Sequence, residues 1–288
     1  MRFELTDDQR DFAGAIEGLL AGSDAVKAAR AWADGEHEPG LKLWARLAEL
    51  GVTMLATEAT PVEVCIAFEA LGRHAVPGPW VESAAYLPVA LGRVVEGVAT
   101  VAVPPHVPLA LDADVADEVY VGTTLVTDVG ALRTSVDRTR RLFKVTGDPA
   151  AWDAAFDAAV LAVSAQLLGA GERVLADSVV YAKQRKQFGR EIGSYQAVKH
   201  ALADVRIALD FARPLVYAAA LGEISPSAAK VAASDAAYLA SRTGLQVHGA
   251  IGYTAELDLS LWLTKIRALV GAWGTPAVHR DRLLAELG

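Results

Sequence analysis

The sequence predicts a mainly α protein with a small β insertion, on three observations. Apolar residues recur at helical spacing through the first third and again from about residue 150 to the end. Short runs rich in valine and threonine, punctuated by proline, glycine and aspartate, are confined to the stretch from Val98 to Val145. The composition is 53% apolar with a mean hydropathy of +0.28, drawn largely from alanine, leucine and valine, which suits closely packed helices or a surface that buries a partner. The expected organisation is an N-terminal helical domain over 1–96, a shortened β-domain over 97–148 and a C-terminal four-helix bundle over 149–288.

In FELTDDQRDFAGAIEGLL, Thr6 and Gln9 fit a capping box, and Phe12, Ile16, Leu19 and Leu20 form an apolar stripe. LKLWARLAELG reads as a second amphipathic helix ending at Gly51. VEVCIAFEALGRHAVPGPW reads as a third, ended by Gly72 and two prolines. VATVAVP, EVYVGTTLVTD, ALRTSV and RRLFKV read as strands. After Asp148-Pro149 one long helix is expected to run through the basic segment to Gln187, with a turn at Phe188-Gly189. SYQAVKHALADVRIALDFARPLVYAAAL is the next, with a kink expected at Pro214. Ser225 caps a helix with Pro226 at its first position, and a last helix is expected from near Thr254, with a break at Gly274.

Charge and composition exclude several functions. A net charge of -8 and a pI near 5.3 do not suit a nucleic-acid partner, which needs a broad basic surface. No uncharged apolar run reaches the roughly 20 residues of a membrane span. The polar, acidic N-terminus is unlike a signal peptide, and the cytoplasm is the expected compartment. One cysteine, Cys65, rules out an internal disulfide and a cysteine zinc cage, and the six histidines are too scattered for a metal cluster. No metal is expected.

Against this acidic background, Lys183, Arg185, Lys186 and Arg190 lie close together with no carboxylate among them. Such a run is either a solvated helix end, favoured by the helix dipole, or a phosphate clamp in which arginine offers a bidentate fork. Phe188 beside it could cover an aromatic ring. A second segment runs from Leu245 to Leu269. In it Gln246 and His248 bracket a turn built from Gly249, Ala250 and Gly252, where the backbone can approach a ligand or simply join two helices.

Together these segments resemble a family signature. R-x-Q-F-G, then Y-Q at Tyr195-Gln196, then Q-V-H-G-x-I-G-Y-T from Gln246, resemble the C-terminal domain of acyl-CoA dehydrogenases. F-x-L-T-x-x-Q and L-W-x-R-L-A-E-L-G resemble that family's N-terminal helical domain, and ADEVYV and DRTRRLFKV its middle β-domain. The resemblance implies a flavoprotein fold and a reaction in which a glutamate removes an α-proton from an acyl-CoA thioester while FAD accepts the β-hydride. It further implies that Arg185 grips the FAD pyrophosphate and that Gln187, Phe188 and Gln196 line its adenine half. Gln246, His248 and Gly249 then close over the same half, on a cofactor centred in a neighbouring chain.

Three departures bear on function. At one family position for the catalytic base, AWGTPAVHR places Trp273; at the other, early in the first bundle helix, stands Ala159. Neither side chain accepts a proton, and a positioned base contributes about 10²–10⁴ in rate. The loops that cradle the flavin ring, of the T-E-P-x-x-G-S-D and W-I-T types, have no counterpart between Pro61 and Val145. The substrate loop after LAELGVTML is replaced by ATEATPVEV. No catalytic residue is therefore expected in this chain. The resemblance implies the short, base-less subunit of an α2β2 enzyme, with a longer acyl-CoA dehydrogenase chain as partner and a steroid-derived CoA thioester as substrate. Two alternatives stay open: a self-sufficient homo-oligomer with a relocated base at Asp153, Asp157 or Glu172, and a scaffold that binds no flavin. For these three carboxylates surface solvation is the competing expectation, and for Trp273 it is the filling of a vacated cavity.

Overall fold

The computed structural model describes residues 4–147 and 153–288. Thr6 opens helix α1 (Asp7–Ala21) with the expected reciprocal cap: its hydroxyl accepts the Gln9 N–H, and the Gln9 side chain accepts the Thr6 N–H. Helix α2 (Ala25–Ala33) was not expected, because AVKAARAWA carries alanines where an amphipathic helix carries long apolar side chains; Asp24 caps it and it buries Trp32. Helices α3 (Glu38–Glu49) and α4 (Leu55–Glu58) follow, Gly51 making the turn after α3 at φ 89°.

Helix α5 (Pro61–Arg73) corrects the sequence reading of Gly72 as a terminator. Gly72 lies inside the helix, and a Cβ there would sit 2.0 Å from the Gln166 carbonyl oxygen. This glycine sets how closely two helices cross, and the chain ends α5 only after it. A π-helical turn over Glu82–Tyr86 then leads into α6 (Leu87–Leu91), both unforeseen.

The β insertion forms two small sheets. Strands β1 (Ala99–Ala102), β3 (Glu118–Val121) and β4 (Thr124–Val126) make one, with β1 and β3 parallel and β4 antiparallel. Strands β2 (Leu109–Leu111), β6 (Leu142–Lys144) and β5 (Leu132–Arg133) make the other, antiparallel throughout. Only β2 escaped the sequence reading, its three residues being too few to alternate. The expected boundary at Asp148-Pro149 lies outside the described residues.

Helix α7 (Ala154–Gln184) is the axis of the molecule. By length and composition it could cross a membrane, yet most of its apolar surface is buried beneath α5, α8 (Gln196–Ala220), α9 (Pro226–His248) and α10 (Leu259–Gly271). Gly169 meets α5 so closely that a Cβ would lie 1.9 Å from the Glu69 carbonyl oxygen. Pro214 sits within α8, and Ser225 caps α9 as expected. In the last segment the helix starts at Leu259 rather than near Thr254, while the break at Gly274 falls where it was expected. A single turn over Gly249–Tyr253 precedes α10, and the chain breaks before α11 (Pro276–Leu287) because Trp273 and Gly274 take φ values of 55° and 93°.

Two polar clusters join the three parts. Glu69 of α5 and Glu172 of α7 share Arg73 and Arg213, with Arg73 Nη2 2.7 Å from Glu69 and 2.6 Å from Glu172. Burial pushes the Glu69 carboxyl up, opposed chiefly by Arg213, whose own pKa is raised by its two carboxylate partners. Lys265 of α10, also buried, donates to Asp137 at 3.1 Å and to Thr139 at 2.9 Å in the loop before β6.

Candidate functional site

At one end of the bundle the basic segment folds into a two-stranded hairpin, β7 (Lys186–Gln187) against β8 (Arg190–Glu191). Helix α7 ends at Gln184, not at Gln187 as expected, because the chain turns back on itself; Arg185 follows directly from its C-terminus and Phe188-Gly189 form the hairpin tip at φ 54° and 83°. The Phe188 ring is 92% exposed, which is extreme for a phenylalanine. It stands at the edge of a groove of about 380 Å³ between the start of α8 and the end of α9, lined also by Ile192, Val198, Ala201, Gln246 and Val247.

The groove is apolar on its walls and offers the Gln246 amide as a hydrogen-bonding group. Gln196 begins α8 and is exposed, but it does not line the groove, whereas its neighbours Tyr195 and Ala197 do. Gln187 is exposed and its amide nitrogen donates to the Lys186 carbonyl at 2.9 Å. Arg185 is exposed and enters no ion pair among the described residues, whereas Lys186 lies 3.4 Å from Glu191. Gly249 ends α9 at φ 63°, with open space where a Cβ would stand. His248 points the other way: it is buried, its Nδ1 lies 2.8 Å from the Gly244 carbonyl oxygen, and its ring stacks on Tyr181 at 4.3 Å. The groove thus has an exposed aromatic face at Phe188 and apolar walls, and Arg185, which does not line it, lies three residues before Phe188 in the same hairpin.

A second region lies inside the molecule, around the turn between α10 and α11. Trp273 is 1% exposed, held in the left-handed backbone region, and packs on Tyr86 at 5.1 Å and on Phe156 at 5.2 Å. His279 fixes this turn: its Nε2 donates to the Trp273 carbonyl at 2.9 Å, which leaves Nδ1 to accept from the Ser227 hydroxyl at 3.0 Å. Burial drives the His279 pKa down to about 4, so the imidazole is neutral. Lys230, fully buried, donates to the Leu269 and Val270 carbonyls at 2.7 and 3.2 Å and anchors the end of α10.

Glu82 is sealed in the interior as well. Burial pushes its pKa up, against the opposing pull chiefly of Arg140, and neither its Oε2 nor the Trp273 indole nitrogen has a hydrogen-bond partner among the described residues. No sequence signal marked Glu82, which looks like any helical surface glutamate until packing carries the whole segment around it into the interior. Ala159 is fully buried. The three carboxylates weighed as alternatives are each engaged, which corrects the expectation of surface solvation for two of them. Asp157 is paired with Arg282, Glu172 belongs to the four-charge cluster, and Asp153 caps α7 through the Phe156 N–H at 2.9 Å. Among the described residues no group of three His, Cys, Asp or Glu side chains gathers to hold a metal.

A long-axis helical bundle with a helical N-terminal part, a small β insertion and an outward groove at the bundle's end defines an acyl-CoA dehydrogenase-type fold. The family description "Acyl-CoA dehydrogenase, C-terminal domain" fits residues 150–288. Acyl-CoA dehydrogenase IpdE2 of Mycobacterium tuberculosis is 31% identical over 96% of both chains. The 3-sulfinopropanoyl-CoA desulfinase of Paraburkholderia xenovorans is 36% identical over 52% of this chain and 42% of its own. Among solved structures, butyryl-CoA dehydrogenase from Megasphaera elsdenii matches with a TM-score of 0.80 at 20% identity, over 99% of this chain and 100% of its own. The Tcur3481-Tcur3483 steroid acyl-CoA dehydrogenase matches with a TM-score of 0.79 at 20% identity, over 97% and 98%. The chain belongs to the acyl-CoA dehydrogenase family.

Proposed function

We propose that this chain is a non-catalytic subunit of a flavin-dependent acyl-CoA dehydrogenase, and that it lends its outward groove to FAD centred in a longer partner chain. The observation that carries the reading is Trp273, buried in a strained turn at the family's base position and packed on Tyr86 and Phe156. An indole cannot take the α-proton, and its bulk occupies space that a substrate would need. The groove, by contrast, opens outward, as a half-site meant for another chain does.

When bound, FAD supplies the hydride acceptor for α,β-dehydrogenation of a CoA thioester. The role of this chain is then binding and orientation. Arg185 holds the pyrophosphate by charge-assisted hydrogen bonds, Phe188 covers the adenine, and Gln246 meets its edge, with Gln187, Gln196 and Gly249 around them. His248 acts from behind, its stacking on Tyr181 fixing the end of α9. The base and most of the substrate site belong to the partner. The steroid enzyme among the structural matches is named for two proteins, which supports a heteromer of unlike chains and a steroid-derived acyl group; α2β2 is the proposed arrangement. Domain boundaries near residues 96 and 148 and a cytoplasmic location complete the reading.

The test is co-purification with a longer acyl-CoA dehydrogenase chain and measurement of the flavin-to-protein ratio. One FAD per pair of unlike chains is expected, and Arg185→Ala should lower FAD retention by about tenfold or more, as for a lost charge-assisted pair. Tight flavin binding by this chain alone would overturn the proposal.

A further inference from the structure

The hairpin that presents Phe188 is too slight to hold itself. Each strand has two residues, and an isolated two-stranded ribbon is marginal in water. Both tip residues have positive φ, as a tight two-residue turn requires, but the first is a phenylalanine rather than the usual asparagine, aspartate or glycine. A strained and almost fully exposed aromatic ring persists only where its surroundings over-determine it.

Those surroundings centre on one side chain. The Tyr195 hydroxyl lies 3.4 Å from both tip carbonyls, those of Gln187 and Phe188, and can donate to either. The Arg190 guanidinium sits 4.0 Å above the Tyr195 ring. Tyr195 is also the residue that opens α8 and forms part of the groove wall, so it ties the tip to the helix across the groove floor. At the hairpin's open end the Ile192 N–H donates to the Arg185 carbonyl at 2.8 Å. Arg190 and Lys186 are thereby engaged within the hairpin, and the anion is left to Arg185 with Lys183.

We infer that Tyr195 and Arg190 are a positioning pair, which holds the hairpin so that Phe188 stands ready as one wall for a nucleobase. The ring of Tyr195 carries the arginine by cation–π attraction, its hydroxyl pins the tip, and the nucleotide meets a wall already ordered. This rests on the groove being the nucleotide half-site proposed above, which it deepens by separating the residues that touch the ligand from those that aim them.

The test titrates ADP and, separately, inorganic pyrophosphate into the full chain, following methyl resonances of Ile192, Val198 and Val247. Tyr195→Ala should weaken ADP by about tenfold, from the lost cation–π contact and the cost of ordering the tip on binding, and change pyrophosphate by less than about twofold. Tyr195→Phe, which keeps the ring beneath Arg190 but loses the hydroxyl that pins the tip, should recover only part of the loss. Equal ADP affinity in the unaltered chain and in Tyr195→Ala would overturn the positioning role and leave the half-site standing. Equal losses of ADP and pyrophosphate would overturn it too, by showing general collapse of the hairpin. Absence of saturable ADP binding to the unaltered chain would remove the half-site, and the positioning role with it.

Discussion

Trp273→Ala is the sharpest perturbation of the interior turn. The indole is 1% exposed and lies against two aromatic rings, so truncation removes a fully buried side chain and leaves a void between Tyr86 and Phe156. Trp→Ala changes of this kind cost about 3–5 kcal/mol. The backbone adds a second, separable effect. Alanine inherits the φ of 55°, whereas glycine takes it without a Cβ penalty of about 1–2 kcal/mol. Trp273→Gly should therefore be less destabilising than Trp273→Ala by about 1 kcal/mol, the reverse of the order in a helix interior. Equilibrium urea unfolding of the three proteins, followed by far-UV circular dichroism at pH 7, measures both differences. An alanine variant within 1 kcal/mol of the unaltered chain would refute the packed plug. A glycine variant less stable than the alanine one would refute the strained turn.

Two further predictions concern buried charge. Arg213→Met leaves Glu69 and Glu172 with Arg73 as their shared cation, and should cost about 3–5 kcal/mol in urea unfolding, the range for a buried pair broken on one side; Arg213→Lys should rescue little, since one ammonium cannot reproduce a fork across two carboxylates. Asp112 accepts from the Trp32 indole and the Arg141 N–H, both at 3.1 Å, but its other oxygen is unpartnered and burial pushes its pKa up to about 7. The folded state thus holds this proton more tightly than the unfolded chain. Its contribution is intact below about pH 4 and is lost as pH rises toward 7, at most on the order of 4 kcal/mol at 1.36 kcal/mol per pH unit. Asp112→Asn should remove that loss, making the variant more stable than the unaltered chain at pH 8 and no more stable at pH 4; equal stability at pH 8 would contradict the assignment.

Local chemistry was legible wherever a residue's role depends on near neighbours. The Thr6–Gln9 box, the Ser225-Pro226 start and the break before Pro276 each rest on backbone groups within a turn of the residue that satisfies them. The absence of a carboxylate at residue 273 is likewise a matter of identity alone. The alanine-rich helix α2 and the three-residue strand β2 went unread because neither carries enough apolar contrast to show a period.

Other roles were decided by residues far apart in the chain. Gly72 reads as a helix stop, but Gln166 makes it a close-crossing contact. His248 reads as a cofactor contact in the sequence, yet it is buried and stacks on Tyr181. Glu82 becomes a buried carboxyl because the whole segment around it is packed into the interior, and Tyr195 becomes a brace only because a hairpin folds back over it. Burial and cross-element contact depend on how helices pack, and the pattern along one helix says which face is apolar without saying what lies opposite. Residue identity therefore determined that no carboxylate stands at residue 273, and packing determined which distant side chains each buried residue meets.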